Sequence, residues 1–318
     1  MENVKYYAGI DLGGTFIKGC ILTEDGSVII KDKIKTTNET IAEDIASFVK
    51  DLENRAGVKV QAIGVGTPGI VDSKRGVVVL AKNVGFKNEK LREKIQKHIN
   101  LPVYVTNDAN AAALGEYFVG AGIKYKNLIL VTLGTGVGGG IIIDGKLFEG
   151  HKSAGAEIGH ITLRVRGEKC TCGRRGCFEA YSSATALIRD TKKAMLKDKE
   201  SVLWKLCDNN IENVNGKTAF DGFELNDKTS IKVVRRYIKY LAEGITDLAN
   251  IFRPEVILLG GGISGSKDIL LKPLDRILRK EIFAGSRYAP VRINVASLGN
   301  DAGMIGAGKL AIDLFKAI

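Results

Sequence analysis

The sequence lacks several features that would place it in a membrane or outside the cell. Among its 318 residues, no apolar run is long enough to cross a bilayer. The N-terminus has no signal-peptide layout of charged and then apolar residues, because it enters a predicted strand almost at once. We therefore predict a cytoplasmic protein without a membrane partner. In that reducing compartment, clustered cysteines are more often metal ligands or catalytic groups than disulfides.

The sequence also lacks a basic block interleaved with aromatic residues, although its net charge is +11. The lysines and arginines are spread over amphipathic segments such as residues 91–98, LREKIQKH. This distribution is typical of a solubilising surface, and we predict no nucleic-acid partner. With 45% hydrophobic and 26% charged residues, the composition is that of a globular protein with one large or two medium domains.

Apolar strands and amphipathic helices alternate along the chain, which predicts a mixed α/β fold. The order strand, glycine-rich turn, strand occurs at residues 6–23 and again at residues 127–148. This repetition predicts two related domains with a cleft between them, a small one over residues 1–115 and a large one over residues 116–300. Residues 301–318 are predicted to form a helix that packs back on the first domain. Further helices are predicted over residues 40–56, 88–99, 107–118 and 231–252.

Three glycine clusters follow apolar strands, at the position where α/β folds bind ligands. Glycines let the backbone approach a ligand, and consecutive N–H groups in such turns bind anions. The candidate phosphate-binding residues are Asp11, Gly13, Gly14 and Thr15 in the first turn, Gly134, Thr135, Gly136 and Gly138 in the second, and Gly260, Gly261 and Gly262 in the third. The Asp11 carboxylate is suited to Mg²⁺. For the first turn, a plain β-hairpin with Asp11 bonded locally is the alternative.

Two common nucleotide-binding motifs are missing. The sequence has no G-x-x-x-x-G-K-[ST], which excludes a P-loop enzyme. The stretch GTGVGG at residues 134–139 is followed by strand-like residues and not by a helix, which argues against a dinucleotide-binding fold. The three strand ends together favour a nucleotide bound across two domains.

Asp108 stands where a predicted strand ends and a helix begins. One role for such a residue is to cap the helix N-terminus. The other is to accept the proton of an attacking hydroxyl in phosphoryl transfer, with Asn107 holding that hydroxyl in register. Carboxylate, amide and imidazole groups that suit a polyhydroxylated ligand also occur in turn-like settings, at Asn83, Glu157, His160 and Glu179.

Three of the five cysteines lie in one short glycine-rich turn, CTCGRRGC at residues 170–177. With His160 ten residues upstream of the first cysteine, they supply the four ligands that a closed tetrahedral Zn²⁺ site needs. The predicted metal ligands are His160, Cys170, Cys172 and Cys177. A bound metal would fix the His160 ring and leave its other nitrogen for a ligand, so that a structural ion would also position a binding site.

Taken in order, these motifs resemble those of the repressor, open-reading-frame and kinase (ROK) family of sugar kinases. The matching stretches are DLGGT (11–15), PGIVD (68–72), NDANAAALGE (107–116), LGTGVGGG (133–140), GAEIGH (155–160), CTCGRRGCFEAYSSATAL (170–187) and LGGGIS (259–264). The resemblance implies a pair of actin-like, ribonuclease-H-like α/β domains, with mixed sheets flanked by helices, that close on ATP and a hexose.

The family pattern also implies roles for individual residues. It makes Asp108 the general base and assigns the zinc to His160 and the three cysteines. It assigns to the sugar Gly69, Asn83, Asn107, Asp108, Glu157, His160 and Glu179. The glycine clusters near residues 13–14, 134–140 and 260–262 are assigned to the nucleotide.

The implied activity is that of a glucokinase, which transfers the γ-phosphoryl of MgATP to the 6-hydroxyl of glucose. Fructose, mannose or N-acetylmannosamine are alternative acceptors, and ADP or polyphosphate are alternative donors. The family also implies a homodimer or homotetramer. A sugar-responsive repressor is the alternative from another class; because DLGGT begins at Asp11, we expect no preceding helix-turn-helix domain.

Overall fold

The computed structural model describes residues 4–285 and 287–317, which form two compact units. The first unit contains the described residues up to Leu130, Gly140–Ala156 and those from Ser297 onward. The second contains Val131–Gly139 and Glu157–Ala296. The domain limits at residues 115 and 300 stay a prediction. Among the described residues, no helix is long and apolar enough to cross a membrane.

Strands and helices alternate along both units, which confirms the mixed α/β class. The chain runs β1 (Tyr6–Leu12), β2 (Phe16–Thr23), β3 (Val28–Lys35), α1 (Ile41–Ala56), β4 (Val60–Thr67), β5 (Ile70–Asp72), β6 (Val77–Ala81), β7 (Phe86–Glu89), α2 (Leu91–Gln96), β8 (Val103–Asn107), α3 (Asp108–Val119), β9 (Leu128–Leu133), β10 (Val137–Ile143), β11 (Lys146–Phe148), α4 (Glu179–Ser182), α5 (Ala184–Lys197), α6 (Leu203–Leu206), α7 (Thr218–Glu224), α8 (Lys228–Phe252), β12 (Val256–Gly260), α9 (Lys267–Glu281), β13 (Arg292–Val295) and α10 (Ala302–Lys316).

The first unit is built on a five-stranded sheet with the strand order β3-β2-β1-β4-β8. Strand β1 pairs antiparallel with β2 and parallel with β4, and β4 pairs parallel with β8. The carboxyl ends of β1, β4 and β8 therefore meet at one edge of the sheet, which places the DLGGT turn and Asp108 at that edge. Helix α1 buries Ile45, Val49 and Leu52.

Helix α10 packs closely against this sheet and against α3 because glycines line the contacts. A Cβ atom on Gly306 would overlap the carbonyl oxygen of Ala111 in α3, and one on Gly64 in β4 would overlap that of Ala307. The fully buried Glu116 carboxylate of α3 also holds the segment before α10. It accepts hydrogen bonds from the N–H groups of Ser297 (3.0 Å) and Leu298 (2.7 Å). Helix α3, which carries Asp108 at its first position, is thereby tied to the fold core.

The other five-stranded sheet has the order β11-β10-β9-β12-β13, with β12 and β13 parallel. The chain enters the second unit within β9, at Leu130–Val131, and returns to the first unit within β10, at Gly139–Gly140. Helix α8 is the longest helix of the second unit, and it buries one side that includes Val234, Leu241 and Leu248.

Two predicted helices have different limits in the structure. The helix predicted over residues 88–99 covers only Leu91–Gln96, because Phe86–Glu89 forms β7 of a three-stranded antiparallel sheet in the order β5-β6-β7. Helix α8 begins at Lys228, three residues before the predicted start, since the Asp227 side chain caps it by accepting from the Ser230 N–H.

Candidate functional site

Asp108 is the first residue of α3, directly after β8. The interpretation of Asp108 as the helix cap is wrong, because Asn107 caps the helix. The Asn107 Oδ1 atom accepts from the N–H groups of Ala109 (2.8 Å) and Asn110 (3.3 Å). Asp108 Oδ1 accepts from the Ala109 N–H at 2.8 Å, and the side chain is exposed. The carboxylate is therefore rigidly placed and accessible to a ligand.

The electrostatic surroundings of Asp108 suit a base at neutral pH. Although the side chain reaches solvent, burial by the protein around it raises the pKa of the Asp108 carboxyl to about 6. The Ala109 N–H lowers this pKa, and the negative charge of Asp11 raises it further. A pKa near the working pH combines a large deprotonated fraction with useful basicity, which is the optimum for a general base.

Gly69 and Asn107 lie together beside Asp108 in the first unit. The Asn107 Nδ2 atom donates to the Gly69 carbonyl oxygen at 2.9 Å. Gly69 has a φ of +93°, and a Cβ atom there would overlap the carbonyl oxygen of Leu80, so the position requires glycine. The Asn107 side chain also hydrogen-bonds the Asp108 carboxylate, which lowers the pKa of Asp108. Asn83 is exposed in a short 3₁₀ turn.

The DLGGT turn is both a hairpin and an open backbone corner. The Gly13 N–H donates to the Phe16 carbonyl oxygen at 3.0 Å, as the hairpin alternative predicted. A Cβ atom on Gly14 would lie 3.1 Å from the carbonyl oxygen of Asn83, so this turn and the Asn83 turn pack together. Gly14 and Thr15 are exposed.

Asp11 has a cationic partner that sequence reasoning missed. Lys18 Nζ lies 3.4 Å from Asp11 Oδ2 and 3.3 Å from the carbonyl oxygen of Asn300. Burial raises the pKa of Asp11, whereas the Lys18 charge lowers it. The signal was available, because Asp11 and Lys18 face each other across the hairpin register of β1 and β2. Lys18 offers an ammonium beside the candidate magnesium ligand.

In the second unit, the turn between β9 and β10 has part of its backbone already bonded. The Gly134 N–H donates to the Gly136 carbonyl oxygen at 3.0 Å, and the Val137 N–H donates to Glu179 Oε2 at 3.2 Å. Helix α5 supports the other side, because the Thr185 hydroxyl donates to the Thr135 carbonyl oxygen at 2.8 Å. Fewer backbone N–H groups are therefore left to bind a phosphate than the run of glycines suggests, and the candidate anion-binding residues at the centre of the turn are Thr135 and Gly136. Gly138 lies within β10.

The third glycine cluster ends β12. Gly260 is buried, whereas Gly261 and Gly262 are exposed. Gly261 has a φ of +81°, and no atom lies within 4 Å of a Cβ built on Gly262. Ile263, directly after it, lies 3.3 Å from a Cβ built on Gly216, a residue that sequence reasoning did not select. The second unit therefore has open backbone at two of its strand ends.

The cysteine turn brings the four predicted metal ligands together. The ligand atoms of His160, Cys170, Cys172 and Cys177 all lie within 4.8 Å of one another. Cys172 Sγ is 3.7 Å from Cys177 Sγ, and Cys170 Sγ is 3.7 Å from His160 Nδ1. The edge of a ZnS₄ tetrahedron is about 3.8 Å for Zn–S bonds of about 2.3 Å, so the donor set fits Zn²⁺.

The remaining predicted sugar ligands surround this turn in the second unit. Glu157 is exposed, and its carbonyl oxygen accepts from the His160 N–H at 3.0 Å. The Arg174 guanidinium donates to the His160 carbonyl oxygen at 2.9 Å. Glu179, at the start of α4, accepts from the Thr171 hydroxyl at 2.7 Å. Each unit thus holds one part of the predicted sugar set: Gly69, Asn83, Asn107 and Asp108 in the first, and Glu157, His160 and Glu179 in the second.

The chain is similar to glucokinases over nearly its whole length. It is 37% identical over 307 residues to the glucokinase of Streptomyces coelicolor, which covers 95% of this chain and 96% of that protein. The crystal structure of a ROK family glucokinase from Streptomyces griseus in complex with glucose and AMPPNP is 35% identical, with a TM-score of 0.82. That similarity covers 98% of this chain and all of the other.

Repressors are related as well. The chain is 31% identical over 323 residues to the xylose repressor of Caldicellulosiruptor bescii, which covers 98% of this chain and 79% of that protein. The family model described as the ROK family matches residues 7–314. With the sequence motifs, the α/β fold and this match in agreement, the chain belongs to the ROK family.

Proposed function

We propose that the protein is a glucokinase, which transfers the γ-phosphoryl group of MgATP to the 6-hydroxyl of glucose. The observation that carries the proposal is the similarity to glucokinases over 95% or more of the chain. The Streptomyces griseus protein was crystallised with glucose and AMPPNP, an acceptor and a nucleotide of the proposed kind. The accessible Asp108 carboxylate with a pKa of about 6 supplies the base that this reaction requires.

In the proposed reaction, Asp108 accepts the proton of the glucose 6-hydroxyl while the hydroxyl oxygen forms a bond to the γ-phosphorus. The bond between that phosphorus and the bridging oxygen breaks, and its electrons leave with ADP. Asn107 and Gly69 set the geometry around Asp108 through their 2.9 Å hydrogen bond. The exposed residues Thr15 and Thr135 present backbone and hydroxyl donors to phosphate oxygens.

Magnesium accompanies ATP in this proposal. Asp11 is the carboxylate that would hold it, directly or through water, since Mg²⁺ prefers carboxylate and phosphate oxygens. When bound, the ion neutralises charge on the phosphates. Lys18 lies beside Asp11 and keeps that carboxylate compensated in the protein without nucleotide.

We propose a structural zinc ion on His160, Cys170, Cys172 and Cys177. The support is the donor set, whose sulfur separation of 3.7 Å matches a tetrahedral edge. Because His160 Nδ1 faces Cys170, the Nε2 atom is the one left for the sugar. The metal would fix the ring, and the ring would bind the substrate.

We also propose that the enzyme works in the cytoplasm, in glycolysis, as a homodimer or homotetramer. Light scattering coupled to size-exclusion chromatography tests the oligomer, and a monomer at micromolar concentration would contradict it. The homology to repressors does not favour regulation over catalysis, because the candidate base and phosphate turns are present together in this chain.

A coupled assay tests the proposed function. Purified protein is incubated with glucose, fructose, mannose or N-acetylmannosamine and with ATP, ADP or polyphosphate. Sugar phosphate is measured for every pair. We expect the highest kcat/KM for glucose with ATP. A higher value for another hexose would shift the assignment to that acceptor, and no transfer to any hexose would refute it.

A further inference from the structure

Glu179 connects two parts of the second unit that have separate predicted roles. Its Oε2 atom accepts from the Val137 N–H at 3.2 Å, at the end of the turn between β9 and β10. Its Oε1 atom accepts from the Thr171 hydroxyl at 2.7 Å, in the cysteine turn. One carboxylate thus joins the candidate phosphate turn to the candidate metal turn.

The phosphate turn is shaped around this carboxylate. A Cβ atom on Gly136 would overlap Glu179 Oε2, so a larger residue at this position would push the end of the Glu179 side chain aside. A second close approach comes from Gly159, where an added Cβ atom would overlap the Val137 carbonyl oxygen. The backbone of the phosphate turn therefore packs against Glu179, which is bonded to the cysteine turn, and against Gly159, which directly precedes His160.

Thr171 holds the Glu179 carboxylate from the other side. It lies between Cys170 and Cys172, and its side chain is exposed. The hydrogen bond from the Thr171 hydroxyl to Oε1 is 2.7 Å long, which is shorter than the 3.2 Å bond from the Val137 N–H to Oε2. Without this hydroxyl, one carboxylate oxygen loses its closest donor and the side chain is free to rotate away from the Val137 N–H.

We propose that Thr171 is a positioning residue for nucleotide binding, which acts by holding Glu179 against the turn at Gly134–Val137. The proposal rests on the proposed kinase function. It assigns the cysteine turn a second task beyond orienting His160, namely to fix the shape of the phosphate-binding backbone. The conformation of the metal-bound cysteine turn then affects nucleotide binding through Thr171 and Glu179.

The test compares T171V, which removes the hydroxyl at nearly constant volume, with T171S, which keeps it. The matched control is T162V. The exposed Thr162 hydroxyl accepts a hydrogen bond at 2.8 Å from Arg174 of the cysteine turn, and among the described residues no hydrogen bond joins Thr162 to Glu179. For each protein as purified, calorimetry measures the Kd of the ATP analogue AMPPNP and the Kd of glucose, and elemental analysis measures zinc per chain.

We expect T171V to weaken AMPPNP binding by about fivefold, as for the loss of one hydrogen bond to a charged group that acts through a neighbour. The Kd of glucose should rise as well, because Glu179 also belongs to the predicted sugar set, whereas zinc content should stay that of the wild type. T171S should restore AMPPNP binding. T162V should keep wild-type affinity for AMPPNP.

Three results would overturn the proposal. The first is an unchanged AMPPNP affinity in T171V. The second is a loss confined to glucose, which would make Glu179 a sugar ligand alone. The third is a loss of zinc together with both affinities, which would mean that Thr171 only stabilises the cysteine turn. If the wild type binds AMPPNP but phosphorylates no hexose, the proposed function fails while the positioning role still stands.

Discussion

The pKa of Asp108 gives the reaction a pH dependence that can be worked out in advance. Burial raises this pKa to about 6, so the deprotonated fraction of free enzyme is about 0.9 at pH 7 and about 0.1 at pH 5. Only the deprotonated carboxylate can accept the hydroxyl proton. The kcat/KM for glucose should therefore fall about tenfold from pH 7 to pH 5, since kcat/KM reports the free enzyme.

The assay measures initial rates of glucose phosphorylation with glucose and MgATP both well below their KM values, so that the free enzyme is the reference state. It runs between pH 5 and pH 8, by quenched time points that do not depend on a coupling enzyme. Circular dichroism at each pH checks that the protein stays folded. The variant D108N should have a residual rate without the rise between pH 5 and pH 7. A wild-type kcat/KM that stays constant from pH 7 down to pH 5 would refute Asp108 as the base.

Three further variants and one control test the fold and the metal turn. G306A should lower the free energy of unfolding by about 3 kcal/mol, measured in urea, because the added methyl group overlaps the Ala111 carbonyl oxygen. The control G265A should be nearly neutral, because no atom lies within 4 Å of the new Cβ. Equal effects of the two substitutions would contradict the packing of α10. E116Q should lower the free energy of unfolding by about 2–3 kcal/mol in the same measurement, because an NH₂ group then replaces an oxygen that accepts backbone N–H bonds. An unchanged free energy of unfolding would show that the buried carboxylate is dispensable. Elemental analysis of C172S should show a loss of zinc, and calorimetry should show weaker glucose binding, because His160 is then misplaced. A C172S protein with no zinc but full glucose affinity would show that the sugar site does not depend on the metal.

The parts of the site that the sequence predicted are those that local spacing determines. His160 and the three cysteines converge because glycines wind a short turn, and such a turn needs little help from distant residues. Asn107 and Asp108 are a different case. Both residue types cap helices about equally well, so their order alone could not show that Asn107 caps and Asp108 stays accessible.

Other features depend on contacts between distant parts of the chain. Glu179 meets Val137 across 42 positions, and neither residue type signals the pairing. The helix predicted over residues 88–99 was too long because its first residues pair with β6, a choice made by tertiary contacts over local propensity. The sequence predicted that the last helix packs back on the first domain, but only the fold shows that Gly306 contacts Ala111 in α3.

The most direct measurement of the central claim compares D108N with the wild type in kcat and in glucose affinity. Asp108 is exposed at the helix start, and Asn107 caps the helix, so the substitution should leave the fold and glucose binding intact. We predict a kcat lower by about 10²- to 10⁴-fold, the contribution of a general base, with a glucose Kd within about threefold of the wild type. A kcat within threefold of the wild type would contradict the account.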